Sequence, residues 1–130
     1  MILLDSNFVI DYWKYPNEEK TAFLKENKCV ICGIVRSEVL HGAKSDKDFQ
    51  RMKYSMTSFD TIVFKEEYWP DLGEMLYKLR TNGVSLPYQD AMIALLALKS
   101  NTEIATYDRH FKLIQDVYPE LKLSVIPSRG

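Results

Sequence analysis

Long apolar runs are missing from this 130-residue chain: nothing approaches the roughly 18 residues of a membrane span, and Asp5 already interrupts the apolar start. A soluble, cytoplasmic protein with no membrane partner is the expectation. An excess of either charge is missing too, since 17 basic and 18 acidic residues leave a net charge of −1. No overall positive field therefore advertises nucleic-acid binding. Cysteine is scarce: the only two are Cys29 and Cys32, spaced C-x-x-C, which raises a redox pair or half a zinc site. The surrounding sequence favours neither. Lys28-Cys29-Val30-Ile31-Cys32 reads as a strand, where residues an odd number apart point to opposite faces, whereas the redox motif opens a helix. A structural zinc would want two further Cys or His ligands, and none are spaced for it. Two reduced core residues are expected. Repeats, low complexity and a linker are also lacking, so residues 1–130 read as a single domain, with 46 % hydrophobic residues to build its core.

What is present is a regular alternation of two periodicities. Met1 to Leu4 is a short apolar run, and Phe8, Val9, Tyr12 and Trp13 then recur at helical spacing until Pro16. Asn17 can cap a second helix over 18–25, Cys29 to Cys32 makes a strand, and Gly33 breaks it. Ile34, Val35, Val39 and Leu40 give a third helix ending near Gly42; Ser45 and Asp46 cap a fourth that carries Phe49, Met52 and Met56. Thr61 to Phe64 is the third strand, followed by a helix with Trp69, Leu72, Met75, Leu76 and Leu79 on one face, closed by Asn82-Gly83. From Tyr88 to Leu98 nearly every residue is apolar, which marks a helix buried on most sides. Thr102 to Thr106 is a fourth strand, Asp108 to Val117 a last helix, and Leu121 to Ile126 a fifth strand before the Pro-Ser-Arg-Gly tail. The expected fold class is α/β: an α/β/α sandwich around a parallel five-stranded sheet. Such sheets bind ligands outside the carboxyl ends of their strands.

That rule directs attention to four acids. Asp5 follows the first strand, Asp108 lies two residues past the fourth, Asp90 is in the first turn of the buried helix, and Glu38 sits mid-helix on the margin of an apolar face. Each has an ordinary explanation. Asp5 and Asp108 can be helix N-caps, worth about 1 kcal/mol, and Asp90 can complement a helix dipole for about 0.3 to 1 kcal/mol. Gathered in one cleft, however, carboxylates repel and cannot all stay ionised without a compensating cation. Mg²⁺ or Mn²⁺ suits them, because hard ions prefer carboxylate and water oxygens.

The segments around these acids resemble the PIN-domain family. Asp5-Ser6-Asn7-Phe8-Val9-Ile10-Asp11 is similar to its opening block, and Ser37-Glu38-Val39-Leu40-His41-Gly42 to its second. Asp90-Ala91-Met92-Ile93-Ala94 resembles the third, and Thr106-Tyr107-Asp108-Arg109-His110-Phe111 the fourth. Each block is short, but four in order span almost the whole chain. Short single-domain members are similar to VapC-type toxins of toxin–antitoxin pairs, which cleave RNA with Mg²⁺ or Mn²⁺. The resemblance therefore implies a metal-dependent endoribonuclease with an RNA substrate, a cognate antitoxin and a homodimeric state. It implies that Asp5, Glu38, Asp90 and Asp108 hold metal directly or through water, with Asp5 and Asp90 the preferred direct ligands. Asn7 would orient Asp5 or a water through its amide. The pattern departs from the common one at Asn7, where a hydroxyl residue is usual, and at Arg36, where many relatives have a smaller residue.

Other features are weighed against plainer roles. Arg36 and Arg109 are the cations nearest in sequence to the acids and could steady a phosphate, or simply be surface charges. Glu38 and His41 form one E-x-x-H pair, but a di-iron site needs a second. His110 could touch metal or phosphate, or pack locally. Lys44, Lys47, Arg51 and Lys53 could track an RNA backbone, although Asp46 and Asp48 interrupt them. Tyr12, Trp13, Tyr15, Tyr68 and Trp69 read as core, a dimer face or a groove for an antitoxin helix. Three alternatives compete: an RNA-processing nuclease, a non-catalytic binding module and a receiver-like signalling domain. The last wants an acidic pair after strand one and an Asp after strand three; Ser6 and Phe64-Lys65-Glu66 stand there instead.

Overall fold

The computed structural model describes residues 1–125. Its five strands are β1 (Ile2–Leu4), β2 (Cys29–Cys32), β3 (Asp60–Ile62), β4 (Glu103–Thr106) and β5 (Leu123–Val125). They form one sheet in the order β3-β2-β1-β4-β5, and every neighbouring pair is parallel. Strands covered on both faces read as unbroken apolar runs. Ile2, Leu3 and Leu4 are accordingly all buried, as are Val30, Ile31 and Cys32 of β2 and Ile104, Ala105 and Thr106 of β4. Edge strand β3 instead exposes Asp60 and Thr61. The expected parallel five-stranded sheet is the one that forms. Ile126 and the tail, assigned from sequence to the last strand and its exit, lie outside the described residues.

Among the described residues seven helices accompany the sheet: α1 (Ser6–Lys14), α2 (Glu18–Glu26), α3 (Gly33–His41), α4 (Asp46–Met56), α5 (Trp69–Thr81), α6 (Tyr88–Ser100) and α7 (His110–Val117). Helix α3 packs against α1 and α4, while α5, α6 and α7 pack on one another and α3 also meets α6. The nearly all-apolar α6 buries Ala91 and the run from Ile93 to Ala97. Its first turn, carrying Asp90, emerges from that packing.

Several boundaries differ from the sequence expectation for local reasons. Phe64 leaves β3, which ends at Ile62, because its ring packs on Tyr68 and Trp69 at centroid distances of 5.6 and 4.8 Å across a 3₁₀ turn, Glu66–Tyr68. Thr102 is not in β4 because its N–H closes α6 on Ala97 O, with Asn101 in the left-handed conformation at φ 51°. The last helix starts at His110 rather than Asp108, whose side chain is spent on its start. Both cysteines are free, and burial raises their thiol pKa values, the opposite of a reactive redox pair.

Candidate metal centre

The strand order reverses direction between β1 and β4: the chain runs outward through β2 and β3 on one side, then returns to place β4 and β5 on the other. Such switch points open a crevice at the carboxyl ends of the two strands. Asp5 leaves β1 there and Asp108 leaves β4, held by the register of Leu4 opposite Ala105. Helix α6 contributes Asp90 from its first turn, and α3 contributes Glu38.

Asp5 is 5 % exposed and is the N-cap of α1, its Oδ1 accepting the Ser6 N–H at 2.8 Å. The capping role weighed for it from sequence is thus real, but it occupies only one oxygen. Oδ2 accepts the Thr106 hydroxyl at 2.7 Å. Thr106 is fully buried, and its oxygen in turn accepts the Asp108 N–H at 2.9 Å and the Asn7 Nδ2–H at 3.3 Å. A hydroxyl has one proton to give and two lone pairs to fill. With two donors incoming, its proton goes to the nearer of two acceptors, Asp5 Oδ2 at 2.7 Å rather than Asn7 Oδ1 at 3.5 Å. Asn7, expected to orient Asp5 or a water, acts here through Thr106, while its Oδ1 accepts the Tyr107 N–H at 3.3 Å.

Asp108 accepts the His110 N–H at 2.8 Å on Oδ1, and the His110 Nδ1 lies 3.2 Å from the same oxygen. Carboxylate oxygens of Asp90 and Asp108 and a ring nitrogen of His110 all lie within 4.8 Å of one another. Glu38 Oε1 is buried and has no hydrogen-bond partner among the described residues. A buried carboxylate oxygen left so is costly, and a bound cation is one ligand that would complete it.

The electrostatics join the four acids into one group. Burial raises the pKa of Asp5, Asp108 raises it further, and the Thr106 and Ser6 hydrogen bonds oppose both. Burial also raises Glu38, with Asp5 and Asp90 adding to it and Ser6 opposing. Asp90 is pushed up to about 6, first by burial and then by Asp5 and Asp108, with His110 pulling the other way. Among the described residues, no lysine or arginine makes an ion pair with Asp5, Glu38, Asp90 or Asp108. Asp90 and Asp108 supply hard oxygen beside the imidazole of His110, and Glu38 is near enough for the charges of Asp5 and Asp90 to act on it. These residues fit a divalent ion.

The remaining sequence candidates are not gathered this way. Arg36 donates from Nη2 to Thr61 Oγ1 at 2.7 Å, toward the β3 edge. Arg109 is exposed immediately before α7, and His41 is exposed at the end of α3. Three residues were missed. Thr106 could have been suspected as a polar residue closing an apolar strand just before an acid. Asp11 and Lys20 are both buried and form an ion pair at 2.7 Å, the Tyr107 hydroxyl also donating to Asp11 at 2.7 Å. Their signal is spacing: Asp11 stands three residues after the buried Phe8, and Lys20 precedes Phe23 and Leu24 at helical intervals.

A family model for the PIN domain matches residues 2–117. Among solved structures, the chain resembles VapBC2 from Rickettsia felis bound to a promoter DNA fragment, with TM-score 0.83, 23 % identity and coverage of 97 % of this chain and 99 % of that one. DNA-bound VapBC from Salmonella typhimurium gives TM-score 0.81 at 20 % identity, covering 95 % and 96 %. A toxin–antitoxin complex from Klebsiella pneumoniae gives 0.66 at 26 %, covering 85 % and 90 %. Among curated proteins nothing matches the sequence. With its blocks in order, its switch-point acids and a family match over most of its length, the chain belongs to the PIN domain family.

Proposed function

We propose that this protein is a divalent-metal-dependent endoribonuclease, the toxin of a toxin–antitoxin pair. What supports the reading is that Asp90, Asp108 and His110 offer ligand atoms within 4.8 Å of one another, that the charges of Asp5 and Glu38 act on the same group, and that none of the four acids pairs with a lysine or arginine among the described residues. PIN domains are nucleases, and similar structures include complexes described as VapBC or toxin–antitoxin.

Asp5, Glu38, Asp90 and Asp108 are the residues that hold the ion. When bound, Mg²⁺ or Mn²⁺ supplies Lewis acidity toward a phosphoryl oxygen and an attacking water. Thr106 keeps Asp5 an acceptor, because its only proton is already directed there. Asn7 holds Thr106 and the Tyr107 backbone together, so the β1 and β4 ends keep their spacing. Asp90, near 6 without a cation, is the acid whose ionisation a bound cation favours most. Arg109, exposed next to Asp108, is available to attract a phosphate.

The partner reading has its own support. A groove of about 990 Å³ runs beside α1, α2 and α4, lined by Tyr12, Trp13, Leu24, Met52, Met56 and Phe59 among others. Its apolar lining suits the nonpolar face of an antitoxin helix. No helix of the described residues is long and apolar enough to cross a membrane.

Purified protein should cut a mixed RNA pool with Mn²⁺ or Mg²⁺ and stop with EDTA, and Asp90→Ala should be silent while its circular dichroism is unchanged. Cleavage that survives Asp90→Ala and Asp5→Ala would sink the reading. A short neighbouring gene whose product silences the cleavage and co-purifies with this chain is the expected result for a toxin.

A further inference from the structure

Resting on that reading of the site, we propose that His110 is a direct ligand, giving the Asp90–Asp108 side of the crevice a mixed oxygen and nitrogen donor set that selects Mn²⁺ over Mg²⁺. Octahedral ions hold their ligands at about 2.1 Å, which puts neighbouring ligand atoms about 3.0 Å apart and opposite ones about 4.2 Å apart. The His110 Nδ1 to Asp108 Oδ1 separation of 3.2 Å matches the first spacing. The full spread of up to 4.8 Å among Asp90, Asp108 and His110 is close to the second, within reach of a small side-chain rotation.

The local backbone supplies the placement. Asp108 uses Oδ1 to receive the His110 N–H at 2.8 Å, which fixes the first residue of α7 directly beside the carboxylate. The imidazole is 58 % exposed and the Asp108 side chain 31 %, so an ion can enter without any element moving. A neutral imidazole can present Nδ1 to metal with its proton on Nε2. Nitrogen donors are suited to transition ions, whereas Mg²⁺ prefers oxygen and sheds water reluctantly. The plain alternative, a histidine that only caps a neighbouring carboxylate, predicts no nitrogen on the ion and no preference.

The test is pulsed electron paramagnetic resonance of the full chain loaded with Mn²⁺ alone, together with Mn²⁺ and Mg²⁺ affinities from calorimetry. Wild type should show nitrogen-14 modulation from a bound imidazole. His110→Ala should lose it, weaken Mn²⁺ at least about tenfold and change Mg²⁺ less than about threefold. His110→Asp, which replaces the nitrogen by oxygen, should keep an ion bound but shift the ratio toward Mg²⁺. Mn²⁺ bound without nitrogen modulation, or an unchanged Mn²⁺ to Mg²⁺ ratio in His110→Ala, overturns the inference and leaves the carboxylate site standing. Wild type that binds neither ion overturns the proposed function as well.

Discussion

Helix α1 and its N-cap carry two buried aspartates with opposite surroundings. Asp11, 6 % exposed, has its cation built in: Lys20 Nζ lies 2.7 Å from Oδ2, and that ammonium also donates to Tyr15 O at 2.7 Å. Asp5, 5 % exposed and six residues earlier, has no such lysine: burial raises its pKa and the Asp108 carboxylate adds to it, just as burial first and neighbouring carboxylates second raise Glu38 and Asp90. A chain that could bury a lysine against Asp11 provides none for Asp5. The difference teaches that carboxylate burial here takes two forms: one pair locks helices together, and one cluster has no lysine or arginine ion pair among the described residues, which is what the proposed function assigns to an external cation.

Removing the internal cation should have the largest effect. Lys20→Met leaves Asp11 buried without its lysine, and breaking a buried pair from one side costs about 3 to 5 kcal/mol. For a domain of this size, that is a fall in melting temperature on the order of 10 °C or more. A melt within a degree or two of wild type would remove the Lys20 side of the comparison.

Tyr107→Phe should come next. It keeps the ring stacked on Phe8, at a centroid distance of 6.0 Å, and deletes only the hydroxyl donated to Asp11. Hydrogen bonds to charged groups contribute about 1.5 to 3 kcal/mol, readable by urea denaturation. Because Tyr107 lies between Thr106 and Asp108, the same variant should also weaken Mn²⁺ binding, which a purely local packing loss would not do.

At the other aspartate site the sign reverses. Asp90→Asn removes a charge disfavoured first by burial and then by Asp5 and Asp108, so without metal it should raise the melting temperature by a few degrees, roughly the effect of 1 kcal/mol. The pH dependence sharpens this further. Asp90 is raised from 3.8 to about 6 on folding, so its contribution to stability is present below about 4 and lost as pH rises through about 6. Asp5 and Glu38 act in the same direction. Melts in EDTA should therefore show wild type and Asp90→Asn converging near pH 4 and separating by pH 7. A constant gap would mean that ionisation of Asp90 is not the source.

The parallel sheet was legible in the sequence because strands follow short-range rules, while the four acids were picked out by their order and by blocks that resemble the PIN domain family. Short apolar runs such as Ile2 to Leu4 and Ile104 to Ala105 read as interior parallel strands, and Asp5 and Asp108 stand just past the ends of those two, whereas Glu38 and Asp90 lie on helices. The order β3-β2-β1-β4-β5 was not legible, since it depends on which strands pair across long stretches of chain. Nor was the saturated hydroxyl of Thr106, which needs Asp5, Asn7 and Asp108 in one place. Lys20 was hidden for another reason: a lysine on a charged helix reads as solvated until a partner such as Asp11 is found on a different helix. Arg36 shows the reverse error of proximity. It is two residues from Glu38, yet helical geometry turns it away, and its partner is Thr61.

The most direct test of the central claim is the melting temperature at pH 7.5 in EDTA and in saturating Mn²⁺, for wild type and Asp90→Asn. A ligand that binds only the folded state stabilises it by about 2.7 kcal/mol at 100 times its Kd. Wild type should rise by several degrees on adding Mn²⁺ and Asp90→Asn by much less. Equal midpoints with and without the ion in wild type would contradict the account, because the acids around Asp5 would then be stable without an external cation.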